Sequence, residues 1–77
     1  MKLKLIQIDD QMHTTGFSLK VEFTEGDYKI TKDFNFDGAI TKKDIVDFIK
    51  DEAGKIKVNI GVRSDIAKNE IGKEYTI

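Results

Sequence analysis

Between Phe17 and Phe36 almost every second residue is apolar, and the rhythm is interrupted once, at Glu25-Gly26. Phe17, Leu19, Val21 and Phe23 alternate with Ser18, Lys20 and Glu22; Tyr28, Ile30, Phe34 and Phe36 continue the pattern with Lys32 as its one polar member. A period of two places the apolar set on one face of a strand. A glycine between two such runs suits a tight hairpin turn. The spacing therefore predicts an antiparallel hairpin over Phe17–Phe36 with one apolar face that must be covered. Lys32 is expected to carry its ammonium past the sheet edge on its alkyl stem.

Upstream, Leu3 and Leu5 fall on one face of a strand near 2–8, while Ile6 and Ile8 fall on the other. Either both faces are covered or a bulge flips the register. Asp9–Gly16 is polar, ends in glycine and reads as a loop.

At Thr41 the period lengthens to 3.6. Ile45, Phe48, Ile49 and Ala53 share one face with Val46 at its margin, and Lys43, Asp47, Lys50 and Asp51 lie elsewhere. Thr41 with Asp44 three residues on forms a capping box, with Asp replacing the usual Glu or Gln. Gly54 stands where a left-handed terminator belongs. Ile56, Val58, Ile60 and Val62 then alternate with polar residues and Gly61, which favours a strand over a longer helix. Ser64 is expected to cap a short turn over Asp65–Glu70 that ends at Gly72, and Glu74–Ile77 to add a short edge strand. The expected fold is α+β, one small domain over 1–77. Its antiparallel sheet (hairpin 17–36 plus strands near 2–8 and 55–62) packs on one main helix at about 42–53. Phe34 and Phe48 should both be buried between sheet and helix.

Composition narrows the chemistry. The 77 residues include no cysteine, which excludes a disulfide framework, a thiolate zinc site and a cysteine nucleophile. Thirteen basic against fourteen acidic residues give a net charge of −1, so no nucleic-acid partner is expected. No apolar run approaches the roughly 20 residues of a membrane helix, and MKLKLIQIDD lacks a signal peptide's apolar stretch. No membrane association and a cytoplasmic location are expected. Eleven Ile and twelve Lys against three Ala, one Arg and no Pro point to an AT-rich coding sequence, as in a low-GC bacterium, an archaeon or a virus of one.

One segment carries a chemical grammar. Asp33, Asn35 and Asp37 precede Gly38 at alternate positions, Ile40 follows two residues later, and Asp44 closes a twelve-residue span. This resembles an EF-hand calcium loop, and more closely that of a dockerin repeat. The resemblance covers Asp33 to about Lys50. It implies side-chain oxygens from Asp33, Asn35 and Asp37, the carbonyl of Ala39, a hydroxyl or water-mediated contact from Thr41, and the closing carboxylate of Asp44, with calcium as the cofactor. Three departures stand out: Asp closes the loop, a strand precedes it, and no second loop exists. The competing reading makes Asp33, Asn35 and Asp37 the solvent side of a strand, where alternate residues stand about 6.6–6.8 Å apart and do not converge on one ion. The hairpin partner demands that alternation, so the strand reading takes precedence.

Other candidates are weaker. His13, the only histidine, lies in a polar loop near Asp9 and Asp10 and reads as solvated. Lys42, Lys43, Lys55, Lys57 and Arg63 read as solvated charge rather than a phosphate-binding stripe. No nucleophile elbow or glycine-rich phosphate loop is present. Three strands followed by a helix are similar, at the level of fold alone, to DNA-binding domains of some phage and transposon integrases, but the net charge stands against that use.

A leading strand, an aromatic hairpin closing on Phe34-Asn35-Phe36-Asp37-Gly38, a threonine helix cap and an Ile/Lys-rich tail resemble small proteins of tailed phages and prophages. That resemblance implies an assembly factor, adaptor or inhibitor, virion-associated if phage-derived. The reading is a non-enzymatic protein-interaction or structural accessory module with no catalytic residues. The alternative is a calcium-binding module using residues 33–44. Ile66, Ile71, Tyr75 and Ile77 are too irregularly spaced for one small helix to cover. They hint at an interaction surface, and because 77 residues without staples bury little core, a homodimer through a sheet edge or the C-terminal segment is expected.

Overall fold

A computed structural model describes all residues, Met1–Ile77. Three strands, β1 (Lys2–Asp10), β2 (Phe17–Glu25) and β3 (Tyr28–Phe36), form an antiparallel meander in the order β1-β2-β3, followed by one helix, α1 (Lys42–Asn69). The α+β class and the hairpin stand as expected. Gly26, at φ 57°, opens the two-residue turn, and the register runs from Glu25 opposite Tyr28 to Phe17 opposite Phe36. Left-handed backbone there favours glycine, and matches the twist of the strands it joins.

In β1 the bulge alternative holds. Leu5 stands opposite Val21 and Gln7 opposite Lys20, so Ile6 is the extra residue. That insertion returns Ile8, opposite Leu19, to the face already occupied by Leu3 and Leu5. All the apolar residues of β1 except Ile6 therefore share the helix side with Phe17, Leu19, Val21 and Phe23.

The helix departs from the sequence reading. It runs through Gly54 and Gly61 without interruption, and the strand near 55–62, the Ser64 cap and the 74–77 edge strand are absent. Gly54 is not a terminator, because only Gly26, Gly38 and Gly72 have positive φ. The physical reason lies in the sheet. Strands of nine residues span about 30 Å, whereas a helix ending at residue 53 would cover only about 18 of them. Continuing as helix aligns Ile49, Ile56 and Ile60 in one buried stripe, and leaves Val58 and Val62 outward at 68% and 53% exposure. A strand would have put all four of 56, 58, 60 and 62 on one face.

Thr41 starts the helix as foreseen, its hydroxyl accepting the Asp44 amide at 3.1 Å. Gly72, at φ 92°, turns the chain just past the end. The core is Val21, Phe23, Phe34, Phe36, Ile49, Ile56 and Ile60. Phe48 is not buried with them: at 44% exposure it flanks the stripe, its ring edge-on to Phe34 at 5.5 Å and to Phe36 at 5.7 Å. Lys32 stays on the helix side, its ammonium 3.7 Å from Glu52 and 5.6 Å from the centre of the Phe34 ring. At about 42 Å the helix overruns the sheet. The molecule accordingly measures 55 × 28 × 18 Å with a radius of gyration of 16.8 Å, against the about 11–12 Å of a compact chain of this length.

Candidate functional site

The helix covers the sheet unevenly. Its side chains reach β2 and β3: Phe48 lies on Phe34 and Phe36, Glu52 meets Lys32, and the Arg63 guanidinium stacks 5.1 Å from the centre of the Tyr28 ring. Over β1 there is no such cover. Leu3, Leu5 and Ile8 remain 41%, 59% and 55% exposed, while on the same face of β2 Val21 and Phe23 are sealed and Leu19 is half-buried. Leu3 and Leu5, with Val46, Ile49 and Lys50, line an apolar groove of about 130 Å³ between β1 and the helix. β1 is also an outer strand, so the backbone groups on its free side have no partner strand.

The two outer strands differ in kind. β3 places the charged Lys32 on the helix side, a common guard against edge pairing. β1 has only Leu3, Leu5 and Ile8 between its ends on that side. Its charges are sorted along its length, with Lys2 and Lys4 at one end and Asp9 and Asp10 at the other.

The calcium-loop residues are distributed over three settings. Asp33 and Asn35 belong to β3 on the face away from the helix, Asp33 opposite Lys20 and Asn35 hydrogen-bonded to Ser18. The Thr15 hydroxyl donates to the Asp37 carboxylate, which also accepts the Gly38 amide at 2.8 Å. These bonds, Thr15 first, hold the Asp37 carboxyl below its ordinary value of 3.8, because both stabilise its charged form. Ala39 is exposed in the connection, Thr41 spends its hydroxyl on the helix cap, and Asp44 lies in the first helical turn. No group of three or more His, Asp or Glu side chains converges anywhere to hold an ion.

His13 is exposed in the loop between β1 and β2, which closes on itself through Gln11 and Gly16. The basic residues do not form a stripe. Lys43 pairs with Asp47 at 3.0 Å, and Lys55 with Glu52 and Asp51. Glu52 and Asp51 raise the Lys55 ammonium above its usual range. Lys57, two residues on, points to another side of the helix. The outer face of the sheet carries a polar hollow of about 330 Å³ lined by Gln7, Asp9, Ser18, Lys20, Asp33 and Asn35, with mixed charge and no apolar wall.

Sequence reasoning missed the β1 groove. The signal was present in Leu3, Leu5 and Ile8, but it needed the bulge to be placed at Ile6. Comparison with protein-family models, curated proteins and solved structures finds no match. What the arrangement offers chemically is an apolar strip beside an open strand edge.

Proposed function

We propose that this chain is a non-enzymatic protein-interaction module whose working surface is the helix side and free edge of β1. The observation that carries the reading is the contrast within one sheet face. Val21 and Phe23 are fully sealed, while their cross-strand partners Leu5 and Leu3 are left open. A peptide or strand laid along β1 would gain backbone hydrogen bonds at the edge and apolar contacts in the groove, the mode called β-augmentation. Contiguous apolar surface rimmed by charge is the usual mark of such a site. The phage-like sequence pattern and the AT-rich composition support an accessory role of the adaptor or inhibitor kind.

The test is a photo-crosslinking residue, benzoylphenylalanine, in place of Leu5, with the same residue in place of Thr31 on the outer face as control. Irradiation in an extract of the source cells should give discrete protein adducts from position 5 and none from position 31. Equal labelling at both positions, or none at either, overturns the reading.

A further inference from the structure

The geometry points to a second copy of this chain as the occupant of the β1 edge, paired antiparallel with β1 about a two-fold axis through the bulge. This inference rests on the proposed interaction surface and names its partner.

Self-pairing needs the strand to match itself when reversed, and the bulge decides whether it does. Leu5 stands opposite Val21 and Gln7 opposite Lys20, with Ile6 inserted between them, so we take Leu5 and Ile6 together as one rung of the ladder. Reversing β1 about that rung sets Lys4 against the partner copy's Gln7, Leu3 against Ile8 and Lys2 against Asp9. Each pairing joins residues of the same face. Lys2, Lys4, Gln7 and Asp9 stand opposite Thr24, Glu22, Lys20 and Ser18 on the outer face, while Leu3 and Ile8 stand opposite Phe23 and Leu19 on the helix side. Without the extra residue every one of these pairs would join opposite faces, since a one-residue slip turns a strand's side chains over.

Charge agrees with this register. The basic end of each strand meets the acidic end of the other, giving a Lys2–Asp9 pair at both extremities. On the helix side, Leu3, Leu5 and Ile8 of both copies form one seam between the two helices and close the 130 Å³ groove from both sides. The two meanders become a six-stranded sheet, with the guarded β3 strands as its new edges. A bulge ordinarily discourages edge pairing; placed at the middle rung, it meets its own copy across the axis and disturbs nothing else.

Sedimentation of the full chain across a wide concentration range should show association to twice the 8.8 kDa chain mass. Leu5→Lys and Ile8→Lys, both at exposed positions, should keep the parent's circular dichroism and become monomeric. Lys2→Asp alone sets Asp against Asp at both ends, and Asp9→Lys alone sets Lys against Lys. Each should weaken dimerisation about tenfold. An equimolar mixture of the two should recover parental affinity as a heterodimer, in which every end pair is again Lys with Asp. A parent that stays monomeric, or a dimer untouched by both lysine substitutions, overturns the inference. A mixture no tighter than its components overturns the register. If the parent is monomeric while Leu5 still crosslinks to a different protein, only the identity of the partner has failed; if Leu5 crosslinks to nothing, the interaction surface itself has.

Discussion

Gly54 and Gly61 lie in the middle of the unbroken α1, and each offers a clean measurement of what the helix is made from. Neither has positive φ, and a Cβ added at either would meet nothing within 4 Å. Alanine should therefore enter both sites without strain. In an exposed helix interior glycine is about 0.8–1.0 kcal/mol less favourable than alanine, and compatible Gly→Ala changes deliver about 0.4–1 kcal/mol. The double variant Gly54→Ala/Gly61→Ala should gain about 1–2 kcal/mol. For a domain of this size, each kcal/mol moves the melting temperature by about 4–8 °C. Circular dichroism at the helix band, followed by thermal and urea melts, reads both helix content and stability. The opposite architecture makes the opposite forecast. Were Gly54 a left-handed terminator before a strand, alanine there would cost about 1–2 kcal/mol. A melting temperature that falls in Gly54→Ala refutes the continuous helix.

Phe48→Ala should cost about 2 kcal/mol in urea denaturation, short of the about 3–5 of a fully buried phenylalanine, because the ring is half open yet edge-on to two others; a loss under about 0.5 would mean those ring contacts contribute nothing. Thr15→Val should raise the Asp37 carboxyl toward 3.8 in an NMR titration. A carboxyl depressed in the folded state stabilises above its unfolded value and loses that contribution as pH falls through its folded one. The parent should therefore exceed the variant near neutrality and converge with it in acid below 3.8; a constant difference across that window would count against the contact. Calcium should leave the melting temperature unchanged and move amide resonances only slightly, since Asp33 and Asn35 are held in a strand and Asp37 is engaged by Thr15. A chelator-reversible rise would restore residues 33–44 as a cation loop.

The hairpin and the start of the helix were legible because local signals agreed there. Alternation, a turn glycine and a threonine cap all point the same way. The end of the helix was not, because Ile56 and Ile60 satisfy both periods: four residues apart, they share a face in a strand and in a helix alike. Only Val58 and Val62 discriminate, and they do so through the length of sheet that needs covering, which is a tertiary quantity. Local glycine propensity pointed to a stop, and burial of the long meander overrode it. The bulge had the same character. Leu3, Leu5, Ile6 and Ile8 announced a conflict of register without locating the residue that resolves it. The calcium grammar in 33–44 was the reverse case, a strong local pattern that the pairing of Phe34 and Phe36 with β2 spends on a strand. The uncovered face of β1 depends on where the helix axis lies, and no single segment encodes that.

The only element that seals Val21, Phe23, Phe34 and Phe36 is made after all of them. As the chain leaves the ribosome, the three strands are complete before any residue of Lys42–Asn69 can fold. At about 5–20 residues per second, the meander waits about 2–7 s for its cover. During that interval its apolar face is bare, and an isolated sheet of this size is marginal. Folding of this region therefore finishes in one concerted step, in which the helix docks and the sheet acquires its stability together. A nascent chain arrested before Ile56 should remain protease-sensitive throughout, and one whose helix has emerged through Asn69 should become resistant all at once.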